Sequence, residues 1–175
     1  MNTQLILFTL MNQEVKATYE FQDSVVSSGI VVQEIRKTRS PGIVLVTVNN
    51  ATEVMSLIKK LVYEESWRFN CLLKIAKVEA ALPLEDWEEG LPKLSEEFSK
   101  VIGQRTYRIT LHRTRDTELR NRIITRLAGS INGTVKLIDY DYEIVIYLID
   151  SKLHFVFPSS LNQISIAKIR YSTQL

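Results

Sequence analysis

The chain has 175 residues, 45% of them hydrophobic, and a net charge of +2, which allows one large or two small domains with a proper core. Its longest apolar runs, at 5–10 and 43–48, are strand-sized and far short of the roughly 20 residues a membrane helix needs, and the N-terminus lacks the pattern of a secretory signal. Cys71 is the only cysteine, which excludes an internal disulfide and a thiolate metal cluster and predicts a reduced, cytoplasmic setting.

Residues 4–10 predict a strand that is apolar on both faces. Residues 13–27 predict a helix with Val15, Thr18, Tyr19, Gln22, Val25 and Val26 on one stripe, ended by Gly29. A more polar strand at 30–37, a Ser40-Pro41-Gly42 turn and a doubly apolar strand at 43–48 follow. Asn50 stands three residues before Glu53, the spacing of a capping box, and Val54, Leu57, Ile58, Leu61 and Val62 supply the helix's buried stripe. Phe69, Cys71, Leu73 and Ile75 alternate along a fourth strand that ends near Ala80. This β-α-β-β-α-β order is the ferredoxin-like pattern, and its two central strands are the doubly apolar ones. A layer over their outer face is therefore expected, either the second half of the chain or a partner copy in a homodimer.

From Leu84 the period changes. Leu84, Trp87, Leu91, Leu94, Phe98 and Val101 mark one helix face, interrupted by Gly90 and Pro92, which predict a kink or two short helices. Residues 106–112 predict a strand with Tyr107, Ile109 and Leu111 inward and Arg108, Thr110 and His112 outward. A helix opens at Asp116 or Thr117, and strands are predicted at 135–138, 142–149, 153–157 and 164–170. The chain thus reads as an α+β protein with a first domain at 1–80 and a second at 81–175.

Charge is unevenly placed. Residues 81–99 carry Glu85, Asp86, Glu88, Glu89, Glu96 and Glu97 against Lys93, a net of −5, whereas residues 100–126 carry eight cations against Asp116 and Glu118, a net of +6. No glycine-rich phosphate loop is present, His112 and His154 lack ligand-spaced neighbours, and the acidic 85–89 run fits a solvated helix N-terminus, so no catalytic residue, metal or cofactor is nominated. The arginines are the informative group. Arg108, Arg113, Arg115, Arg122 and Arg126 lie on one strand, its exit and the following helix, where planar forks suit phosphate. The readings stay open: an RNA-backbone patch on one surface, or else a solvated face or salt bridges to the acidic 85–97 segment.

The run Thr106-Tyr107-Arg108-Ile109-Thr110-Leu111-His112-Arg113-Thr114-Arg115, then Gly133-Thr134-Val135-Lys136-Leu137 and the strand from Asp141 to Leu148, resembles a THUMP domain. With Glu65-Ser66-Trp67-Arg68-Phe69 closing a ferredoxin-like half, the chain is similar to small archaeal THUMP proteins related to the tRNA acetylation adaptor. The resemblance implies a THUMP domain over 81–175 and binding of structured tRNA. It also implies a non-catalytic adaptor role, presenting tRNA to a separate RNA cytidine acetyltransferase that makes N4-acetylcytidine, since 175 residues leave no room for a fused catalytic domain. Carried over by position, the RNA-binding residues are Arg108, His112, Arg113, Arg115, Arg122, Arg126 and Lys136, with Lys74 and Arg68 as weaker candidates. The rival reading is a protein-interaction or regulatory module that dimerises and binds no RNA.

Overall fold

A computed structural model describes residues 2–157 and 162–172. The chain forms two units, the first holding Met1–Val78 and Ser160–Leu175, the second Glu79–Ser159.

The first unit runs β1 (Thr3–Thr9), α1 (Glu14–Val25), β2 (Val32–Lys37), β3 (Ile43–Val48), α2 (Ala51–Glu64) and β4 (Leu72–Lys77). Its sheet has β4, β1, β3 and β2 side by side in that order, all antiparallel, which is the ferredoxin-like arrangement the sequence predicts. Leu5 and Leu7 of β1 and Val44 and Val46 of β3 point into a core closed by Phe21 and Val25 of α1 and Val54, Ile58 and Val62 of α2. Ile6 lies on the opposite face, directly across from Leu45 and Ala76, and all three are buried as well. The N-cap forms, with the Asn50 side chain accepting from the Glu53 N–H at 3.1 Å, while the Glu53 carboxylate accepts from the Asn50 side-chain amide at 2.9 Å in place of the backbone N–H of a full capping box.

The α1 stripe differs from the predicted one. The buried positions are Glu14, Ala17, Phe21, Ser24 and Val25, while Val15, Tyr19 and Val26 are exposed. Two small or polar residues of the true stripe, Ser24 and Glu14, hide it from a hydrophobicity count. Glu14 is buried because its carboxylate accepts the Gly42 N–H at 2.7 Å, and Ser24 because its hydroxyl donates to the Glu20 carbonyl one turn back.

The second unit runs β5 (Ala80–Pro83), α3 (Trp87–Ile102), β6 (Thr106–His112), α4 (Thr117–Ala128), β7 (Thr134–Val135), β8 (Tyr142–Ile149) and β9 (Lys152–Val156). Its sheet order is β5, β9, β8, β6, β7, with β6 parallel to both β8 and β7 and the other pairs antiparallel. Tyr107, Ile109 and Leu111 of β6 meet Leu91, Leu94 and Phe98 of α3 and Ile123 and Leu127 of α4 in one core. Of the kink or two short helices expected at Gly90 and Pro92, the second does not occur: helix α3 is continuous through Pro92. Proline this close to a helix start removes only one hydrogen bond, and Gly90 lets the helix press onto β5, since a Cβ there would stand 2.4 Å from Leu82 Cδ2.

Two features move the expected division at 80/81. The edge strand β5 was read as the tail of β4; the run through Ala80 instead changes sheets at Val78, whose N–H donates to the Gln4 carbonyl of β1, while the next N–H, of Glu79, donates to the Phe155 carbonyl of β9. The expected strand at 164–170 is a three-residue strand, β10 (Gln163–Ser165), followed by helix α5 (Ile166–Ser172). β10 pairs antiparallel with β4, so this segment completes the first sheet although the sequence analysis placed it in the second domain. Ile164 and Ile166 are its anchors in the first core.

Candidate nucleic-acid interface

Strand alternation decides where the first candidates stand. With Tyr107, Ile109 and Leu111 turned into the core, Arg108, Thr110 and His112 occupy the opposite face of β6. Their parallel partners on β8 are Glu143, Val145 and Tyr147. The Arg108 guanidinium lies 5.8 Å from the centre of the Tyr140 ring, a cation held against an aromatic face. Thr110 Oγ1 donates to Glu143 Oε1 at 2.6 Å, and the His112 and Tyr147 rings stack with centroids 5.2 Å apart and planes 18° from parallel. Burial, reinforced by the Glu143 carboxylate and opposed by Arg113, pushes the Tyr147 hydroxyl up to about 12, so this ring stays neutral at any physiological pH.

Arg113 and Arg115 leave the end of β6 in the turn into α4. Arg113 takes a left-handed backbone conformation, φ 69°, a strained choice for a long side chain. The residue is exposed overall, yet its guanidinium is partly desolvated, which lowers its pKa from the ordinary arginine value; arginine keeps its charge regardless. The turn is fixed from within. Arg120 Nη2 donates to the Thr114 carbonyl at 2.8 Å, the Asp116 N–H donates to Thr114 Oγ1, and the Asp116 carboxylate caps α4 by accepting the Leu119 N–H at 2.9 Å. Arg115 is exposed at the turn. Arg120, absent from the predicted set, thus organises the loop that displays two of its members; only its position on the half-buried side of α4 could have signalled this.

Arg122 and Arg126 lie one turn apart on α4 and are exposed. They line an open groove of about 890 Å³ between α4 and the start of α3, with Trp87 and Glu88 on the far wall. Arg122 Nη2 meets Glu88 Oε1 at 2.9 Å. The salt-bridge alternative is therefore realised at this pair, and Lys100 pairs likewise with Glu96 at 2.8 Å within α3. Lys136 is exposed just beyond β7, where its N–H donates to the Tyr107 carbonyl; this is the opposite end of β6 from Arg113. Arg105 stands near the same end, its guanidinium 5.5 Å from the Tyr142 ring centre and hydrogen-bonded to the Tyr142 hydroxyl. Asp141 accepts the Thr106 N–H and hydroxyl, and these bonds hold its carboxyl below the usual range.

The predicted residues therefore do not form one surface. Arg108 and His112 face away from the helices, Arg122 and Arg126 ride on the helix layer, and Arg113 and Arg115 emerge at the strand end between them. On the first unit, Arg68 pairs with Glu65 and stands 5.3 Å from the Trp67 ring centre, and Lys74 lies 5.4 Å from that of Phe8. Among the described residues no His, Cys, Asp and Glu group could hold a metal ion, and no helix is long and apolar enough to cross a membrane.

No protein-family model and no curated protein matches the chain. Solved structures do. PH1313 from Pyrococcus horikoshii superposes with a TM-score of 0.65 at 17% identity, covering 93% of this chain and 55% of that one. A 4-thiouridine synthetase solved with RNA and ATP gives 0.55 at 10% identity, covering 92% and 44%. TrmN from Thermus thermophilus gives 0.54 at 14% identity, covering 89% and 45%. The fold is ferredoxin-like followed by THUMP-type. The chain spans about half the length of each structure it matches. Within the THUMP-type unit, the predicted arginines sit on the β6 outer face, the β6–α4 turn and the outer side of α4, and Lys136 lies at the other end of β6.

Proposed function

We propose that the chain binds structured tRNA through the THUMP-type unit, without chemistry of its own, and presents it to a separate RNA cytidine acetyltransferase that makes N4-acetylcytidine. One observation supports the RNA-binding part of this reading: a 4-thiouridine synthetase of this fold, matched over 92% of this chain, was solved with RNA bound. The β6–α4 turn supports it, because Arg113 and Arg115 are displayed there by a loop pinned through Arg120, Thr114 and Asp116. Forked donors on a fixed backbone suit phosphate, and A-form RNA is read by shape and backbone because its bases are hidden in a deep groove.

Binding of a tRNA transcript, followed by fluorescence anisotropy between about 50 and 200 mM salt, tests the reading. Arg113→Ala with Arg115→Ala should weaken binding at least tenfold and reduce the salt slope by roughly two, one for each lost phosphate contact. Unchanged affinity and slope, or equal affinity for heparin, would remove this site. Added to a cytidine acetyltransferase and tRNA, the chain should raise N4-acetylcytidine yield, and alone it should produce none.

A further inference from the structure

Two of the first unit's exposed aromatic side chains flank one cleft. Tyr19 on α1 is 62% exposed and Trp67, in the short turn before β4, is 69% exposed. Both line one cleft of about 370 Å³, near the small end of ligand-sized cavities. Isolated exposed apolar residues need no explanation, but two rings flanking one cavity do.

Trp67 is not displayed by a loose loop. Its turn ends in Phe69, which is fully buried, and the Glu20 carboxylate accepts the backbone N–H groups of Asn70, Cys71 and Leu72 at 2.9–3.0 Å. The Asn70 amide closes the turn by donating to the Trp67 carbonyl at 3.2 Å. The indole is held outward on a fixed backbone, with the Arg68 guanidinium 5.3 Å from its centre. Across the cleft, Lys16, Tyr19 and Asp23 follow one another along one side of α1.

We infer that this cleft is a subsite for one unstacked RNA base. Trp67 and Tyr19 supply stacking surfaces, Lys16 and Arg68 meet the flanking phosphates, and the Asp23 carboxylate accepts from an exocyclic amino group. Stacking on aromatic rings serves any base, whereas a carboxylate acceptor selects the bases that carry an amino group over uracil. The chemistry points to a base rather than an apolar peptide side chain, because apart from the two rings and Cys71 the lining is polar or charged. The inference rests on the RNA-binding reading above but on different residues, in the other unit.

The test uses the full chain and its own fluorescence. Trp67 is exposed and Trp87, the other tryptophan, is buried, so a stacking base should quench the exposed emission. Short oligocytidine should quench to saturation, and oligouridine should bind more weakly. Trp67→Ala and Tyr19→Ala should each lower oligocytidine affinity by roughly 5- to 150-fold, with Trp67→Phe recovering much of the loss, and Asp23→Asn should abolish the preference for cytidine. Because each ring is exposed, either variant should keep the native melting temperature. Intact tRNA binding with no quenching and no effect of either ring variant would overturn the subsite while leaving the THUMP-type interface standing. Quenching by inorganic polyphosphate alone, or by raising protein concentration without RNA, would overturn it as well.

Discussion

The two units weight the same uses of charge differently: in the first, Glu20 alone holds three successive backbone N–H groups, whereas seven of the chain's eleven arginines lie in the second. In the first, carboxylates bind backbone at two places, Glu14 taking the Gly42 N–H and Glu20 three successive N–H groups ahead of β4, while Arg68 meets Glu65 and the Trp67 ring. In the second, most of the described cation contacts are to rings and side-chain carboxylates at the surface, Arg105 with Tyr142, Arg108 with Tyr140 and Arg122 with Glu88, while Asp116 and Asp141 hold the Leu119 and Thr106 N–H groups. A charge bonded to backbone amides is part of the fold and is lost to function. A guanidinium resting on a ring keeps most of its donors, so the same surface can hold it in place and still offer it to a phosphate. Removing a carboxylate bonded to backbone, such as Glu20, should therefore cost stability, and removing a guanidinium displayed at the surface of the second unit should cost affinity.

The largest effect expected from this contrast is at Glu20. Glu20→Ala leaves three N–H groups without their acceptor, and hydrogen bonds to a charged group are among the stronger ones, so a loss of about 3 kcal/mol in urea unfolding is expected. A loss under about 1 kcal/mol would mean that water replaces the carboxylate and that the two units do not differ as described.

Tyr147 tests the second unit from the other side, as a group there that serves structure. Its pKa is raised from 10.0 to about 12, chiefly by burial. The folded state therefore prefers the neutral hydroxyl more than the unfolded chain does. Stability from this source is intact below pH 10 and declines as pH climbs from 10 to 12, by up to about 2.7 kcal/mol. Tyr147→Phe should flatten that decline without changing tRNA affinity at neutral pH. An equally steep alkaline limb in the variant would assign it to other groups.

Much of this contrast was out of reach of the sequence, for reasons that differ by element. The ferredoxin-like order was legible because β1 and β3 are apolar on both faces and the Asn50 cap marks the start of α2. The α1 stripe was not, because Glu14 and Ser24 are buried through hydrogen bonds that hydrophobic periodicity does not register, and this error placed Tyr19 on the inside. Ile164 to Arg170 reads as a strand because a short apolar run carries no period of its own, whereas it is a three-residue strand docked on β4 followed by a helix. The arginine block was plain in the sequence, but alternation along β6 and the helical angle of α4 send its members to different faces. The charge count could not tell Arg122, held by Glu88, from Arg115.

That pair yields the smallest and most discriminating prediction. Arg122 and Glu88 are both exposed, with 59% and 51% of their side-chain surfaces open, so the ion pair contributes less than about 1 kcal/mol and Glu88→Gln should leave the melting temperature nearly unchanged. The same change frees a guanidinium on the α3–α4 groove. If RNA reaches that side of the THUMP-type unit, tRNA binding should tighten a few-fold at low salt and its salt slope should steepen by roughly one, whereas Arg122→Ala in the same background should cancel both gains. If neither affinity nor slope responds, the helix-side arginines lie outside the interface, and the contact narrows to the β6–α4 turn and the outer face of β6. The experiment thus locates the RNA on one side of the second sheet using a substitution that the fold scarcely registers.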